Sequence, residues 1–288
     1  MKILVIQNRM GIGDMVIFLP FIESIAKNFN LPITLLVKES SKANEYLNNN
    51  SKINKIIDLK RSNKNNGYHD GILGFFRLAE ELKKHSFDKV FIFNSSLRYN
   101  LICKLAGITE IYQYPLFKKK KQNIIDAAKS LLLNKLNIKV ESNPKIFLDN
   151  NSIQKAKVQF NINDNKLNIL LGIGGSGPTK RTPANKFIEF IKLTLNEYDC
   201  KFFLATGQEK EEQKILKEII SSCKDKCVSL DKLSILEILP IIKNCKLAIC
   251  NDFSFSHFSE LGFAYNSFNV RYSFIVWKLQ STNVSYFT

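Results

Sequence analysis

Glycines, hydroxyls and a basic pair crowd into residues 170–187, LLGIGGSGPTKRTPANKF. Gly172, Gly174 and Gly177 fit the spacing G-x-G-x-x-G after a strand-like apolar run. In a dinucleotide fold that motif needs its helix to open inside the turn, and here Pro178 to Arg181 intervene. An acidic residue about twenty positions on, which would meet a ribose, is also missing. The glycines therefore read as shaping a loop that presents Ser176, Thr179 and Lys180. Hydroxyls with a lysine suit phosphate oxygens, so the loop is a candidate anion site. The plain alternative is a tight turn with a solvated basic tip.

Two further stretches carry chemistry-bearing residues. In RMGIGDMVIFLP, Gly11 and Gly13 permit a close backbone approach and Asp14 falls at a helix start. Asp14 can be a helix N-cap that satisfies free N–H groups of the first turn, or a carboxylate offered to a ligand. In AICNDFSFSHFSELG a strand ends at Cys250 and a helix is expected to open near Ser254. A helix N-terminus after a strand is a ready anion site, and His257 falls in its first turn. His69 and His85 lie in polar stretches that suggest no role.

The elements that must hold these loops can be read from the pattern. Apolar runs (KILVIQ, ITLLV, KVFIF, LNILLGIG, KFFLATG, KLAIC) alternate with amphipathic, helix-like stretches. Continuous apolar strands between helices predict parallel sheets covered on both faces. A polar stretch over residues 150–166 before the pattern restarts predicts two such domains, residues 1–150 and 151–288. Thr182 and Pro183 are expected to open the next helix as N-cap and first-turn proline. In such folds ligands bind beyond the carboxyl ends of the strands, where the Gly11–Asp14 and Gly172–Arg181 loops both lie.

Composition sets the outer bounds. The chain has 288 residues, 45% hydrophobic and 24% charged, and no apolar run long enough to span a bilayer. Its N-terminal apolar run reads as a first strand with no cleavage site, which predicts a cytoplasmic protein. Six cysteines show no zinc-type pairing; only Cys223 and Cys227 could share a helical face, and all six read as reduced thiols. The net charge of +16 favours phosphates, nucleic acid or anionic lipid. Lys118 to Lys121, flanked by aromatics, has no nucleic-acid motif around it and reads first as a solvated loop and second as a membrane-facing patch.

Taken together and in order, the three loops resemble glycosyltransferase family 9, the lipopolysaccharide heptosyltransferase family. The matching residues are MKILVIQNRMGIGD, GIGGSGPTKRTP and NDFSFSHFSELG, supported by LATGQEKEE and by the helix leading into KLAICND. The resemblance spans roughly residues 1–262. It implies an α/β GT-B fold, two Rossmann-like domains facing across a cleft, the first on the acceptor side and the second on the donor side. It implies inverting, metal-independent transfer of a sugar, heptose, from a nucleotide diphosphate donor, ADP-heptose, to lipopolysaccharide core or a related envelope glycan. By this match Asp14 is the general base, and Gly11 and Gly13 shape its loop. Lys180 neutralises the leaving diphosphate, with Gly174, Ser176 and Thr179 beside it. Asp252, Ser254 and His257 belong to the donor motif, and Glu209 is the candidate for the nucleoside end. A helix N-terminus favours a negative charge, so the base role is expected to depend on the substrate-bound cleft. No cofactor is implied. The implied partners are a nucleotide sugar, a lipid-linked saccharide and an anionic inner-membrane surface; no specific nucleic acid is expected.

The sequence departs from the family pattern twice. Phe253-Ser254 stands where the family has Thr-Gly, which removes one hydroxyl from the expected phosphate site. After Gly262 the chain reads FAYNSFNVRYSFIVWKLQSTNVSYFT, in which neither the family's next strand nor its donor loop is recognisable. The second domain is thus expected to be shortened, which keeps open the alternative of a catalytically silent nucleotide- or glycan-binding homologue. A NAD-dependent oxidoreductase is disfavoured by the interrupted glycine motif.

Overall fold

A computed structural model describes residues 1–9, 11–62, 66–116, 123–146, 148–175, 177–251 and the backbone of 265–269; side chains of Pro178 and of 265–269 are outside it. The chain divides into two compact units, Met1–Ile146 and Phe147–Thr288. Each is an α/β unit built on a five-stranded, all-parallel sheet.

In the first unit the order is β1 (Ile3–Gln7), α1 (Ile12–Phe29), β2 (Ile33–Lys38), α2 (Ala43–Tyr46), β3 (Ile53–Leu59), α3 (Gly71–Lys83), β4 (Lys89–Ile92), α4 (Leu97–Leu105), β5 (Glu110–Gln113) and α5 (Ile124–Leu136). The strands lie in the order β3-β2-β1-β4-β5. β1 is buried along its whole length, as a central strand covered on both faces must be. One face carries Leu4, Ile6, Leu36, Leu78, Leu82, Tyr99 and Ile102 in a single core. An aromatic cluster forms from Phe18, Phe21 and Phe93, their ring centroids 5.1–6.4 Å apart. Full burial of such side chains stabilises by about 1.5–3 kcal/mol each, and this is what fixes the strand ends in space.

The second unit runs α6 (Asn150–Gln159), β6 (Leu167–Gly172), α7 (Ala184–Glu197), β7 (Cys200–Ala205), α8 (Lys210–Cys223), β8 (Cys227–Ser229), α9 (Ile235–Lys243), β9 (Leu247–Cys250) and β10 (Tyr265–Asn269). Its strand order is β10-β9-β6-β7-β8. Ile169, Leu171, Phe187, Ile191, Phe202, Leu204 and Ile219 share its core. Ser234 and Glu237 form a capping box at the start of α9, the reciprocal arrangement that satisfies two free N–H groups.

Four sequence expectations change. The polar stretch 150–166 is not a linker throughout, because α6 occupies its first ten residues and packs on α9. α7 begins at Ala184 with Pro183 at its N-cap, so Thr182 lies outside the helix, where its hydroxyl has another partner. Cys227 opens β8 and shares no helix with Cys223; all six cysteines are buried. A strand does follow Gly262: β10 pairs parallel with β9, Phe268 opposite Ile249. YNSFN is half polar, so an edge position on a sheet hides it from an apolar-run criterion. The rest of the tail, with Trp277, lies outside the described residues, as do Lys118 to Lys121.

No helix among the described residues is long and apolar enough to cross a membrane.

Candidate functional site

In each unit the chain turns back at the middle of the sheet. The crevice this creates lies between β1 and β4 in the first unit and between β6 and β9 in the second, at the carboxyl ends of the strands. The predicted loops sit at these two places.

In the second unit residues 173–183 follow β6, residues 206–209 follow β7 and Asn251 follows β9, and these three strands are neighbours. The glycine loop after β6 is held from both sides. The N–H of Gly175 donates to Glu212 Oε1 at 2.7 Å, and Arg181 Nε donates to the carbonyl of Gly175 at 2.7 Å. The other end of the Arg181 guanidinium pairs with Glu209, at the N-cap of α8. Within the loop, Gly177 N–H donates to Gly175 O at 2.9 Å and Lys180 N–H to Gly177 O at 3.1 Å. A Cβ on Gly175 would stand 2.6 Å from the carbonyl oxygen of Lys180, so this turn closes only on a glycine. Gly177 has φ +119°, a second position where a side chain strains the backbone.

Asn251 ties the loop to the end of β9. Its N–H donates to Gly172 O at 2.9 Å, its Nδ2 to Ile173 O at 3.0 Å, and its Oδ1 accepts from the Thr182 hydroxyl at 2.8 Å. It is 1% exposed, and Asp252 follows it directly in the chain. The result is a loop in which Gly174 is buried while Thr179 and Lys180 are exposed.

The predicted residues therefore separate. Gly174, Thr179, Lys180 and Glu209 are gathered around one strand-end crevice. Ser176, Asp252, Ser254 and His257 lie outside the described residues. Arg181, expected as part of a basic tip, instead carries structure, with its side chain only 12% exposed. Glu209 carries its partner charge. Sequence reading passed over Glu212 and Asn251, the two residues that brace the loop. Helical spacing could have found Glu212: with Leu216, Ile219 and Cys223 it forms the buried face of α8. Asn251 opens the motif NDFSFSHFSELG, but nothing there assigns it the bracing of another loop.

In the first unit the loop after β1 is looser. Gly11 is the N-cap of α1, at φ +104°, and Asp14 is the third helical residue rather than the cap. Asp14 Oδ1 accepts from Arg9 Nε at 2.9 Å, and both side chains reach solvent. The N–H of Arg9 in turn donates to Gln7 Oε1 at 3.1 Å. Arg9 is the residue sequence reading missed here; it lies five positions before Asp14, across the turn, a spacing with no periodic signature.

Beside this pair lies a cavity of about 650 Å³ between the strand ends and α5. Its floor is apolar, with Phe18, Phe93 and Leu131, and its rim carries Asn8, Arg9, Asn94, Gln113 and Lys135. The amides are locked together: Asn94 Nδ2 donates to Asn8 Oδ1 at 3.1 Å, and Gln113 Nε2 donates to the carbonyls of Asn94 and Ser96 at 3.0 and 2.9 Å. The Tyr114 hydroxyl is buried in the wall with no hydrogen-bond partner among the described residues, and burial raises its pKa above the ordinary phenol range.

A third polar centre precedes α3. Asp70 accepts from Arg61 Nε, Ser62 N–H and Gly67 N–H, each at 2.8 Å. The Arg61 hydrogen bond leads these in holding its carboxyl down at about 2. His69, 1% exposed, accepts the Lys60 N–H on Nδ1 at 3.1 Å, so its proton sits on Nε2, 3.1 Å from Glu81 Oε2. Burial lowers its pKa. Among the described residues no group of three His, Cys, Asp or Glu side chains could hold a metal ion.

Comparison with known proteins adds to this geometry. The family model for glycosyltransferase family 9 (heptosyltransferase) matches residues 75–260. Among solved structures, the chain is similar to E. coli ADP-heptose lps heptosyltransferase II, with a TM-score of 0.67 and 17% identity over 91% of this chain and 82% of that one. It is similar to a family 9 glycosyl transferase from Veillonella parvula (TM-score 0.69, 19% identity, 91% and 79% covered). It is also similar to E. coli heptosyltransferase WaaC with ADP-2-deoxy-2-fluoro heptose (TM-score 0.66, 14% identity, 91% and 86% covered). At these identities the structural likeness shows the fold. No curated protein sequence matches.

Proposed function

Because the chain belongs to glycosyltransferase family 9, we propose that it moves heptose from ADP-heptose to lipopolysaccharide core or a related envelope glycan, with inversion at the anomeric carbon. The first unit takes the acceptor and the second the nucleotide sugar. The bond between the anomeric carbon and the diphosphate oxygen breaks while the acceptor oxygen bonds from the opposite face. Asp14 takes the proton of the attacking hydroxyl, and the diphosphate leaves against Lys180. Gly174, Ser176 and Thr179 offer backbone and hydroxyl groups to the phosphates, Asp252, Ser254 and His257 complete that side, and Glu209 faces the nucleoside. No metal takes part. The acceptor is lipid-linked, and the basic surface favours an anionic membrane near it.

The observation that carries the reading is the braced glycine loop. Arg181 pairs with Glu209 beneath the loop, and Lys180 is exposed at the tip of a turn fixed at both ends. Such a turn is preorganised for one anion. Support for the donor comes from proteins of the same fold, the E. coli ADP-heptose lps heptosyltransferase II and heptosyltransferase WaaC with ADP-2-deoxy-2-fluoro heptose.

The test is a thermal-shift titration with ADP, UDP, GDP and NAD, on the protein and on Lys180→Ala. A ligand that binds only the folded state must raise the melting temperature. ADP is expected to stabilise the protein and to lose most of that effect in Lys180→Ala. Stabilisation by NAD instead, or equal ADP stabilisation of both proteins, would overturn the donor assignment. Transfer from ADP-heptose that persists in Asp14→Asn would remove the base from Asp14.

A further inference from the structure

The charge of the molecule is unevenly placed. Residues 1–146 hold 24 Lys and Arg against 12 Asp and Glu, while residues 147–288 hold 18 against 14. In the more basic half, α3 is apolar on two sides. Gly74, Leu78, Ala79 and Leu82 face the core, as an amphipathic helix requires. Yet its first turns also expose Ile72, Leu73 and Phe76, at 77%, 70% and 52% of their full surface, with Tyr68 at 55% just before them. α4, packed on α3, exposes Leu97, Leu101 and Leu105 on one face at i, i+4, i+8 spacing.

This tip is held rigidly. Asp70 draws in Arg61, Ser62 and Gly67, and a Cβ on Gly74 would collide with the backbone of His69. Cations stand around the apolar residues. The Arg77 guanidinium lies 4.8 Å from the centre of the Tyr68 ring and that of Arg98 5.4 Å from Phe75. Lys83, Lys84 at the end of α3 and Lys104 on α4 are exposed; of the acidic residues there Glu81 is hydrogen-bonded to His69 and Glu80 is exposed among the cations, which outnumber it. Clustered exposed apolar side chains mark a surface that something covers.

We propose that the first turns of α3, with the outer face of α4, dock on an anionic lipid surface. Ile72, Leu73 and Phe76 enter the headgroup–acyl boundary, and Arg77, Lys83, Lys84 and Lys104 meet lipid phosphates. A second copy of the chain fits poorly, because a two-fold contact here would bring these cations against themselves. The docking deepens the membrane partner of the proposed function and rests on it only for its purpose; the surface and its charge stand by themselves.

The experiment is flotation with phosphatidylcholine vesicles, with and without phosphatidylglycerol, of the full chain and of Ile72→Ser/Leu73→Ser/Phe76→Ser. All three side chains are exposed, so the melting temperature and ADP stabilisation are expected to stay unchanged. The chain should float with the anionic vesicles, and the triple variant should partition at least about tenfold less. Equal flotation of both proteins would show charge acting without this face and overturn the proposal. Failure of the unchanged protein to float would overturn it too, and retained ADP stabilisation would then leave the transfer reading standing. A dimer that the triple variant dissociates, with no vesicle binding, would give the face to a second copy.

Discussion

The glycine turn after β6 and the glycine turn after β1 occupy equivalent places in two similar units, but they are built differently. The first is braced by a buried carboxylate, an arginine pair and a buried amide: Glu212, Arg181 with Glu209, and Asn251. Among its described residues the second has one solvent-reaching ion pair, Arg9 with Asp14, and a Gly11 whose missing side chain would meet nothing within 4 Å. Rigidity is useful where a flexible, charged ligand must be held in one pose, since the ordering cost is met at folding rather than at binding. Freedom is useful where a carboxylate must exchange one partner for another. Two loops of similar composition thus suit opposite tasks, and the difference lies in what packs beneath them.

The largest effect should come from removing the deepest brace. Glu212→Ala leaves the Gly175 N–H without its acceptor in a site that is 3% exposed, and opens space beneath the turn. The loss is expected to be about 2–3 kcal/mol in urea unfolding, with ADP stabilisation abolished. Glu212→Gln keeps an acceptor oxygen and should recover more than half. If Glu212→Ala binds ADP as before, the loop is not held in shape by this carboxylate and the contrast between the two turns fails.

Much of this was legible in the sequence, and the residues show why the rest was not. The strands could be read because parallel strands covered on both faces are continuous apolar runs, as in ILVIQ and LNILLG. Asp14 and Lys180 stood out because they follow glycines at strand ends. Lys180 and Arg181 are neighbours in sequence, which says nothing about where each side chain goes. Only the fold shows that the Arg181 guanidinium turns inward to Gly175 and Glu209, while Lys180 is exposed. Asn251 works through contacts with residues 78 and 69 positions earlier, and such contacts leave no local pattern. His69 lies in a polar stretch and is nonetheless buried, because Lys60 and Glu81 satisfy both ring nitrogens.

That histidine gives the first unit an acid sensitivity of its own. Burial depresses the folded-state pKa of His69 below its ordinary 6.5, against the pull of Glu81 and with help from Lys60 and Arg98. The unfolded chain therefore binds the proton more readily, and stability is full above about pH 6.5 and falls as the pH drops below it. Each pH unit costs at most about 1.4 kcal/mol, until the folded pKa is passed. His85, lowered by burial as well, adds to the same slope. Asp70 contributes a second loss between its ordinary 3.8 and about 2. Melting temperatures from pH 7.5 to 5 should fall, and His69→Gln should flatten that slope. An unchanged slope in His69→Gln would mean that the pair with Glu81 does not set it.

The smallest effect on stability, and the sharpest on the comparison, belongs to Arg9. Its ion pair with Asp14 is exposed at both ends, and such pairs contribute about 0–1 kcal/mol. Arg9→Ala should therefore melt almost as the unchanged protein does. Its consequence falls on the proposed transfer step instead. The guanidinium holds one oxygen of Asp14, and the same arginine lines the cavity beside Asn8. Without it the carboxylate samples other rotamers, and a misdirected base lowers turnover without touching donor binding. The expectation is a fall in kcat of roughly tenfold with ADP stabilisation intact, and partial recovery in Arg9→Lys. A rise in kcat would mean that Arg9 restrains Asp14 and must leave before the acceptor binds. A loss of ADP stabilisation would mean that the open loop serves the donor, and the division of tasks between the two turns would have to be reversed.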